Sequence, residues 1–233
     1  MAIDFETFTL AASTAELGEE PAARAVADCV EFRMDLAERP AEALSGYDGE
    51  LPLLVTNRAG WEGGAAGDEG RLGVLGDAIE RDAVGAVDVE LAALDGSRGE
   101  AVAAAARGLA EESLERDVSV VVSHHDFEET PPRAELKRSL RRAAAHGTVG
   151  KLAVTAEDGA DALDVLAVTH ELSEAGVAVA TMAMGEAGSH TRAVAPVYGS
   201  KIGYAPVDPA AATAPGQYDL RTLRRLTDAL TSR

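Results

Sequence analysis

The sequence predicts a (β/α)8 TIM barrel, built as a single domain over residues 1–233. Three observations carry this reading. Eight short apolar runs alternate with longer amphipathic stretches, the order that makes βαβ units and a parallel sheet. A chain of 233 residues is of the size at which such barrels form as one domain. Polar and charged residues recur at the C-terminal ends of the apolar runs, where a barrel carries its chemistry.

The predicted strands are 8–12, 29–34, 51–56, 86–91, 119–123, 150–154, 177–182 and 200–204. The intervening helical patterns have their own punctuation. Segment 21–27 opens with Pro21 at a first-turn position. Segments 70–81 and 99–114 are rich in Ala, Leu and Glu. Segment 132–145 is followed by Gly147, and 158–175 by Gly176, each suited to a helix stop. Leu220, Leu223, Leu226 and Leu230 recur at three- and four-residue steps and share one face of a final helix. The glycine-rich stretch 60–70 reads as a loop after the third strand. An open doubly wound sheet is the structural competitor, but no G-x-G-x-x-G follows the first strand, which argues against dinucleotide binding.

Composition narrows the function. The net charge is −19, unsuited to a nucleic-acid partner or an anionic membrane, both of which need a basic surface. The basic residues are 18 Arg and only three Lys, Lys137, Lys151 and Lys201. Dense carboxylates with few lysines point to a halophilic protein from a high-salt cytoplasm, where salt screens their mutual repulsion; a high-GC mesophile with an acidic surface is the plain alternative. A cysteine count of one rules out a disulfide framework within the chain. The N-terminal residues carry acids and no basic leader pattern, and no apolar run reaches the ~20 residues of a membrane span. The expected location is the cytoplasm, and the expected partner is a small molecule.

The strand ends supply the candidate chemistry. The second strand carries Glu31, Arg33 and Asp35; the third runs into Arg58 and then Glu62; the fourth carries Asp88 and Glu90. The fifth ends in Ser123-His124-His125-Asp126-Phe127, the sixth holds Lys151, and the seventh runs through Met182 and Met184 towards Arg192. Glu31 and Arg33 alternate on one strand face, where a structural ion pair is the plain alternative to function. Adjacent histidines on a strand point to opposite faces, so at most one of His124 and His125 faces the barrel interior. Lys151 is the most informative. An ammonium on a short apolar strand is costly to bury, and burial favours the neutral, nucleophilic amine that Schiff-base chemistry requires. Lys201, also on a strand, is its rival.

Together these segments resemble the type I 3-dehydroquinate dehydratases. The matching pieces are Glu31-Phe32-Arg33-Met34-Asp35, Arg58 with Glu62-Gly63-Gly64, Asp88-Val89-Glu90, Ser123-His124-His125-Asp126-Phe127, and Lys151. They continue with Met182-Ala183-Met184-Gly185, Gly188 and Arg192, and end with Ala214-Pro215-Gly216-Gln217. They occur in family order and cover nearly the whole chain. The resemblance implies a (β/α)8 fold and a lyase, without cofactor or metal, that eliminates water from 3-dehydroquinate to give 3-dehydroshikimate in the shikimate pathway. It implies Lys151 as the imine-forming lysine, His125 as the acid/base and Glu62 as the carboxylate that orients it. It implies Arg192 as the anchor of the substrate carboxylate, with Glu31, Arg33, Arg58, Thr213 and Gln217 binding the rest of the substrate. A homodimer is the family-level expectation. The departures are Thr213 in place of the usual Ser, Lys201 and Gly203 on the eighth strand, and a first strand in which Ser13 is not assigned a role.

Three other readings compete. A class I aldolase or transaldolase-like enzyme also uses a strand lysine but binds phosphate, and no phosphate-binding glycine loop is evident here. A metal-dependent hydrolase would draw on His124, His125, Asp126, Asp88 and Glu90, without the H-x-H spacing that suits one ion. The third is a non-catalytic barrel that binds a metabolite.

Overall fold

The computed structural model describes residues 2–208, 210 and 216–231. Its strands are β1 (Thr9–Thr14), β2 (Cys29–Arg33), β3 (Leu53–Thr56), β4 (Val84–Glu90), β5 (Ser119–Asp126), β6 (Val149–Thr155), β7 (Val179–Met184) and β8 (Ile202–Pro206). Each pairs in parallel with its sequence neighbour from β1 to β7, and β1 also pairs with β8. The ring is completed where Val179 bridges Ser200 and the Lys201 N–H donates to the Val179 carbonyl at 2.8 Å. The helices are α1 (Glu20–Ala23), α2 (Pro40–Ser45), α3 (Arg71–Ile79), α4 (Leu91–Leu94), α5 (Glu100–Glu115), α6 (Arg133–Ala144), α7 (Gly159–Glu174), α8 (Gly185–Gly188), α9 (Thr191–Val194) and α10 (Leu220–Thr231).

The strands alternate strictly, and both faces are buried, as a parallel barrel requires. Val30, Phe32, Val55, Val87, Val89, Val120 and Val122 face outward and form one core with residues of α3, α4 and α5. A second outer cluster joins Leu136 and Leu140 of α6 and Val165, Val168 and Leu172 of α7 to β6 and β7. Facing inward, one residue per strand makes an apolar floor: Ala11, Cys29, Leu54, Ala86, Val121, Val149, Ala180 and Ile202. Ile3 and Phe5 join that cluster, and the Ile3 N–H reaches the Gly85 carbonyl at 3.3 Å.

All eight predicted strands are present, with shifted ends. β5 runs three residues beyond 123, and β7 and β8 lie two residues later than predicted. The reason is that hydropathy marks burial, whereas a strand is defined by its backbone ladder, which continues through His124, His125 and Asp126. Helix α2 and the four-residue helices α4, α8 and α9 went unpredicted, and the 21–27 helix shortens to the four residues of α1. Segment 60–70 is a loop, as expected, but contains a 3-10 turn at Gly60–Glu62 and a bridge between Ala59 and Ala66. On α10, Leu220 and Leu223 are buried, while Leu230 in the last turn is exposed. Helix α7 begins on Asp158, whose carboxylate accepts the Ala160 and Asp161 N–H groups at 2.7 and 3.3 Å.

The apolar floor holds the sheet closed beneath its polar end. Leu54→Ala, in the fully buried floor, should lower unfolding stability by about 2–5 kcal/mol. Leu163→Ala, at a side chain 66% exposed on α7, should change it by less than about 0.5 kcal/mol. Denaturant titration of both variants checks the contrast.

Candidate active site

Two residues further along each strand, the inward positions change character. Above Ala11, Cys29, Leu54, Ala86, Val121, Val149, Ala180 and Ile202 stand Ser13, Glu31, Thr56, Asp88, Ser123, Lys151, Met182 and Tyr204. One step higher are Arg33, Glu90, His125 and Met184. The barrel is apolar below and charged above, and Ser13, Glu31, Arg33, Arg58, Glu62, His125, Lys151, both methionines, Arg192, Tyr204 and Gln217 line one cavity at its C-terminal end.

Lys151 is buried on β6. Its Nζ lies 3.1 Å from Asp88 Oδ2 and 4.2 Å from the centre of the Tyr204 ring. Asp88 Oδ1 accepts from Ser123 Oγ at 2.6 Å, and Oδ2 also faces Arg58 Nη2 at 2.9 Å. Burial alone would raise the Asp88 carboxyl, but Arg58 and Lys151 outweigh it and hold the group well below the usual carboxylate range. Arg58 also donates to Ser123 Oγ at 2.5 Å and approaches Glu90 at 3.5 Å. Arg71 closes the far side of Glu90 at 2.8 Å. These side chains form one buried network across β3, β4, β5 and β6.

His125 points inward from β5. Its Nδ1 is 2.9 Å from Glu62 Oε1, and the same oxygen accepts the His125 backbone N–H at 3.1 Å. Burial pushes the imidazole well below 6.5, reinforced by the positive charges of Arg58 and Lys151. Burial likewise pushes Glu62 up to about 8, against the pull of Arg58. The resting histidine is therefore neutral at neutral pH, because burial and the nearby cations outweigh the carboxylates around it. His124 faces the other way, towards Asp126, Asp95 and Arg142. Phe127 stacks on His125 with centroids 6.0 Å apart.

The loop after β3 delivers Glu62 because of two glycines. Gly63 has φ +77°, and a Cβ there would meet the Phe127 ring at 2.3 Å. A Cβ on Gly64 would lie 2.0 Å from the Arg58 carbonyl. With neither Cβ present, the chain folds back over Arg58 and sets Glu62 beside His125.

Arg192 comes from α9, reached through the tight α8 turn. Thr191 Oγ1 accepts the Ala183 N–H at 2.9 Å and donates to the Gly188 carbonyl at 2.7 Å, tying α9 to β7. The guanidinium is buried; Nη1 contacts Met182 Sδ at 3.7 Å, while Nε and Nη2 find no hydrogen-bond partner among the described residues. Burial lowers it to about 10. A buried, unpaired fork of N–H donors suits a carboxylate.

Glu31 does not pair with Arg33. It accepts from Ser13 Oγ at 2.5 Å and Thr56 Oγ1 at 3.1 Å, while Arg33 forms a two-bond fork with Asp35 at 2.9 and 2.7 Å. Ser13, left unassigned in the sequence, thus supports Glu31. Lys201 is remote from this site: its Nζ donates to the Glu6 carbonyl at 2.6 Å, and its backbone pairs with the start of β7. Thr213 lies outside the described residues. Three residues without an assigned role emerge here: Asp88, Ser123 and Tyr204. Their signal in the sequence was parity, since each falls on the inward phase of its strand.

The chain matches the model of the type I 3-dehydroquinase family over residues 8–232. It is 58% identical over 231 residues to the 3-dehydroquinate dehydratase of Haloarcula marismortui, covering 99% of each chain. It is 53% identical over 228 residues to that of Halobacterium salinarum, covering 96% of this chain and 98% of the relative. The crystal structure of the 3-dehydroquinate dehydratase from Geobacillus kaustophilus superposes with a TM-score of 0.82 at 27% identity, covering 98% of this chain and 93% of that one. A family match over nearly the whole length, relatives from halophilic archaea and a barrel with a buried strand lysine agree: the chain belongs to the type I 3-dehydroquinase family.

Proposed function

We propose that this protein eliminates water from 3-dehydroquinate to give 3-dehydroshikimate, a step of the shikimate pathway, through a Schiff base on Lys151. The observation that carries the mechanism is the placement of Lys151 Nζ in the cavity that also holds a neutral His125 and the Arg192 fork, whose Nε and Nη2 are unpaired among the described residues. The described strands make a single barrel, so we read the chain as one catalytic domain; membership of a biosynthetic enzyme family supports action in the cytoplasm.

Arg192 takes the substrate carboxylate as a bidentate pair and fixes the ring. Lys151 Nζ passes one proton to the neutral His125 and attacks the ring ketone; the C–N bond forms, and the carbonyl oxygen takes that proton back together with one from the nitrogen and leaves as water. The protonated imine then serves as the electron sink. His125, whose Nδ1 is held by Glu62, removes the proton from the adjacent carbon through Nε2. The electron pair passes into an enamine and returns to expel the β-hydroxyl, which takes a proton from His125 and leaves as water. A further water molecule hydrolyses the conjugated imine and releases product and free amine. Glu31, Arg33 and Gln217 line the same cavity, which supports their binding the ring hydroxyls, and Arg58, bound to Ser123 and Asp88, forms the wall beside them. Thr213 is assigned to substrate binding on the family resemblance alone.

Borohydride added during turnover should leave a reduced adduct on the peptide containing Lys151. It should form with 3-dehydroquinate and not with phosphorylated sugars. Lys151→Ala should lose both adduct and activity, and an adduct on Lys201 would contradict the assignment. His125→Ala should lower turnover by at least about 100-fold while retaining some imine.

The depressed His125 pKa is testable directly. Its labelled ring, followed by NMR, should remain neutral at pH 6.5 and titrate only well below that value. The folded value lies below the unfolded value of about 6.5, so this group's contribution to stability is present above pH 6.5 and lost as pH falls. A midpoint at or above 6.5 would contradict the burial argument.

A further inference from the structure

Asp88 takes no part in the steps above, yet its carboxylate touches the nitrogen on which they depend. We propose that Asp88 is the counter-ion of the protonated imine at Lys151, with the face of Tyr204 as its aromatic complement on the same nitrogen. The inference rests on Lys151 being the imine-forming residue.

An ammonium carries three protons, but an imine nitrogen carries at most one. Whether that proton stays determines whether the nitrogen can draw electrons from the neighbouring carbon. A neutral imine is a poor sink; a protonated one is a strong sink. The Asp88 carboxylate is fixed for this purpose. Ser123 donates to Oδ1 at 2.6 Å, Arg58 Nη2 lies 2.9 Å from Oδ2, and Lys151 Nζ shares Oδ2 at 3.1 Å. The neighbouring acids face other partners: Glu31 accepts from Ser13 and Thr56, and Glu62 lies against His125. Among the described residues, Asp88 is the acid that pairs with Nζ. The Tyr204 ring, 4.2 Å from Nζ, presents its negative face to the same cation. Both groups are buried, where a fixed charge acts with little screening.

A structural ion pair would already be complete between Asp88 and Arg58. A counter-ion for the imine makes a further prediction, on the imine itself. The probe is 3-dehydroshikimate bound to the full-length protein, because its conjugated imine absorbs at longer wavelength when protonated. In Asp88→Asn, which keeps the shape and removes the charge, the band should move to shorter wavelength near neutral pH. Borohydride trapping should slow by roughly tenfold or more, and kcat should fall by about 10²–10³-fold with little change in KM. A variant with the wild-type band and trapping rate overturns the proposal. If that variant does not fold, the wild-type complex still decides by Raman spectroscopy. A C=N stretch that shifts on transfer to D2O supports a protonated imine held in place, and an unshifted stretch overturns it. An unshifted stretch with the adduct mapped to Lys151 leaves the proposed function intact; no adduct at Lys151 overturns both.

Discussion

An ammonium group sits inside a protein, on the inner face of a barrel strand, and the rest of the site is arranged around that fact. Lys151 is 4% exposed. A charge so placed is destabilising unless it is paired and the pair is itself satisfied. Asp88 supplies the opposite charge, Ser123 and Arg58 satisfy Asp88, and Glu90 and Arg71 complete the chain of contacts. Strands β3 to β6 each contribute to this network or lead directly into it, so the closed sheet is what aligns its members.

The same network sets the histidine. Arg58 and Lys151 add to burial in keeping His125 neutral, while the loop turned by Gly63 and Gly64 brings Glu62 against Nδ1. A base with its proton removed thus stands in the cavity of the nucleophilic amine. Arg192 stands in that cavity with donors that are unpaired among the described residues. The protein carries a net charge of −19, yet this cavity presents Arg33, Arg58, Lys151 and Arg192 to an entering anion. Surface carboxylates repel such a ligand only over the screening length, which salt shortens.

Much of this was legible in the sequence. The apolar runs located all eight strands, since a barrel strand buried on both faces must be apolar for several residues. Lys151 stood out because an ammonium within such a run is costly, and the adjacent histidines separated by pleat parity. Strand ends were less legible, because the β5 ladder continues through polar residues that carry no hydropathy signal. The roles of Asp88, Ser123 and Ser13 were not legible, because they depend on which side chain meets which across neighbouring strands. Barrel stagger decides that, and local pattern does not encode it. How far the His125 imidazole is pushed below its ordinary value was not legible either, because burial sets it and burial is a property of the folded barrel.

The central claim is that one buried amine replaces the oxygen of a ring ketone during each turnover. Running the reaction in water enriched in oxygen-18 tests it most directly. Imine hydrolysis must place a solvent oxygen on the product ketone, so every product molecule should carry the label, faster than substrate or product exchanges without enzyme. Product that keeps its original ketone oxygen would contradict the account.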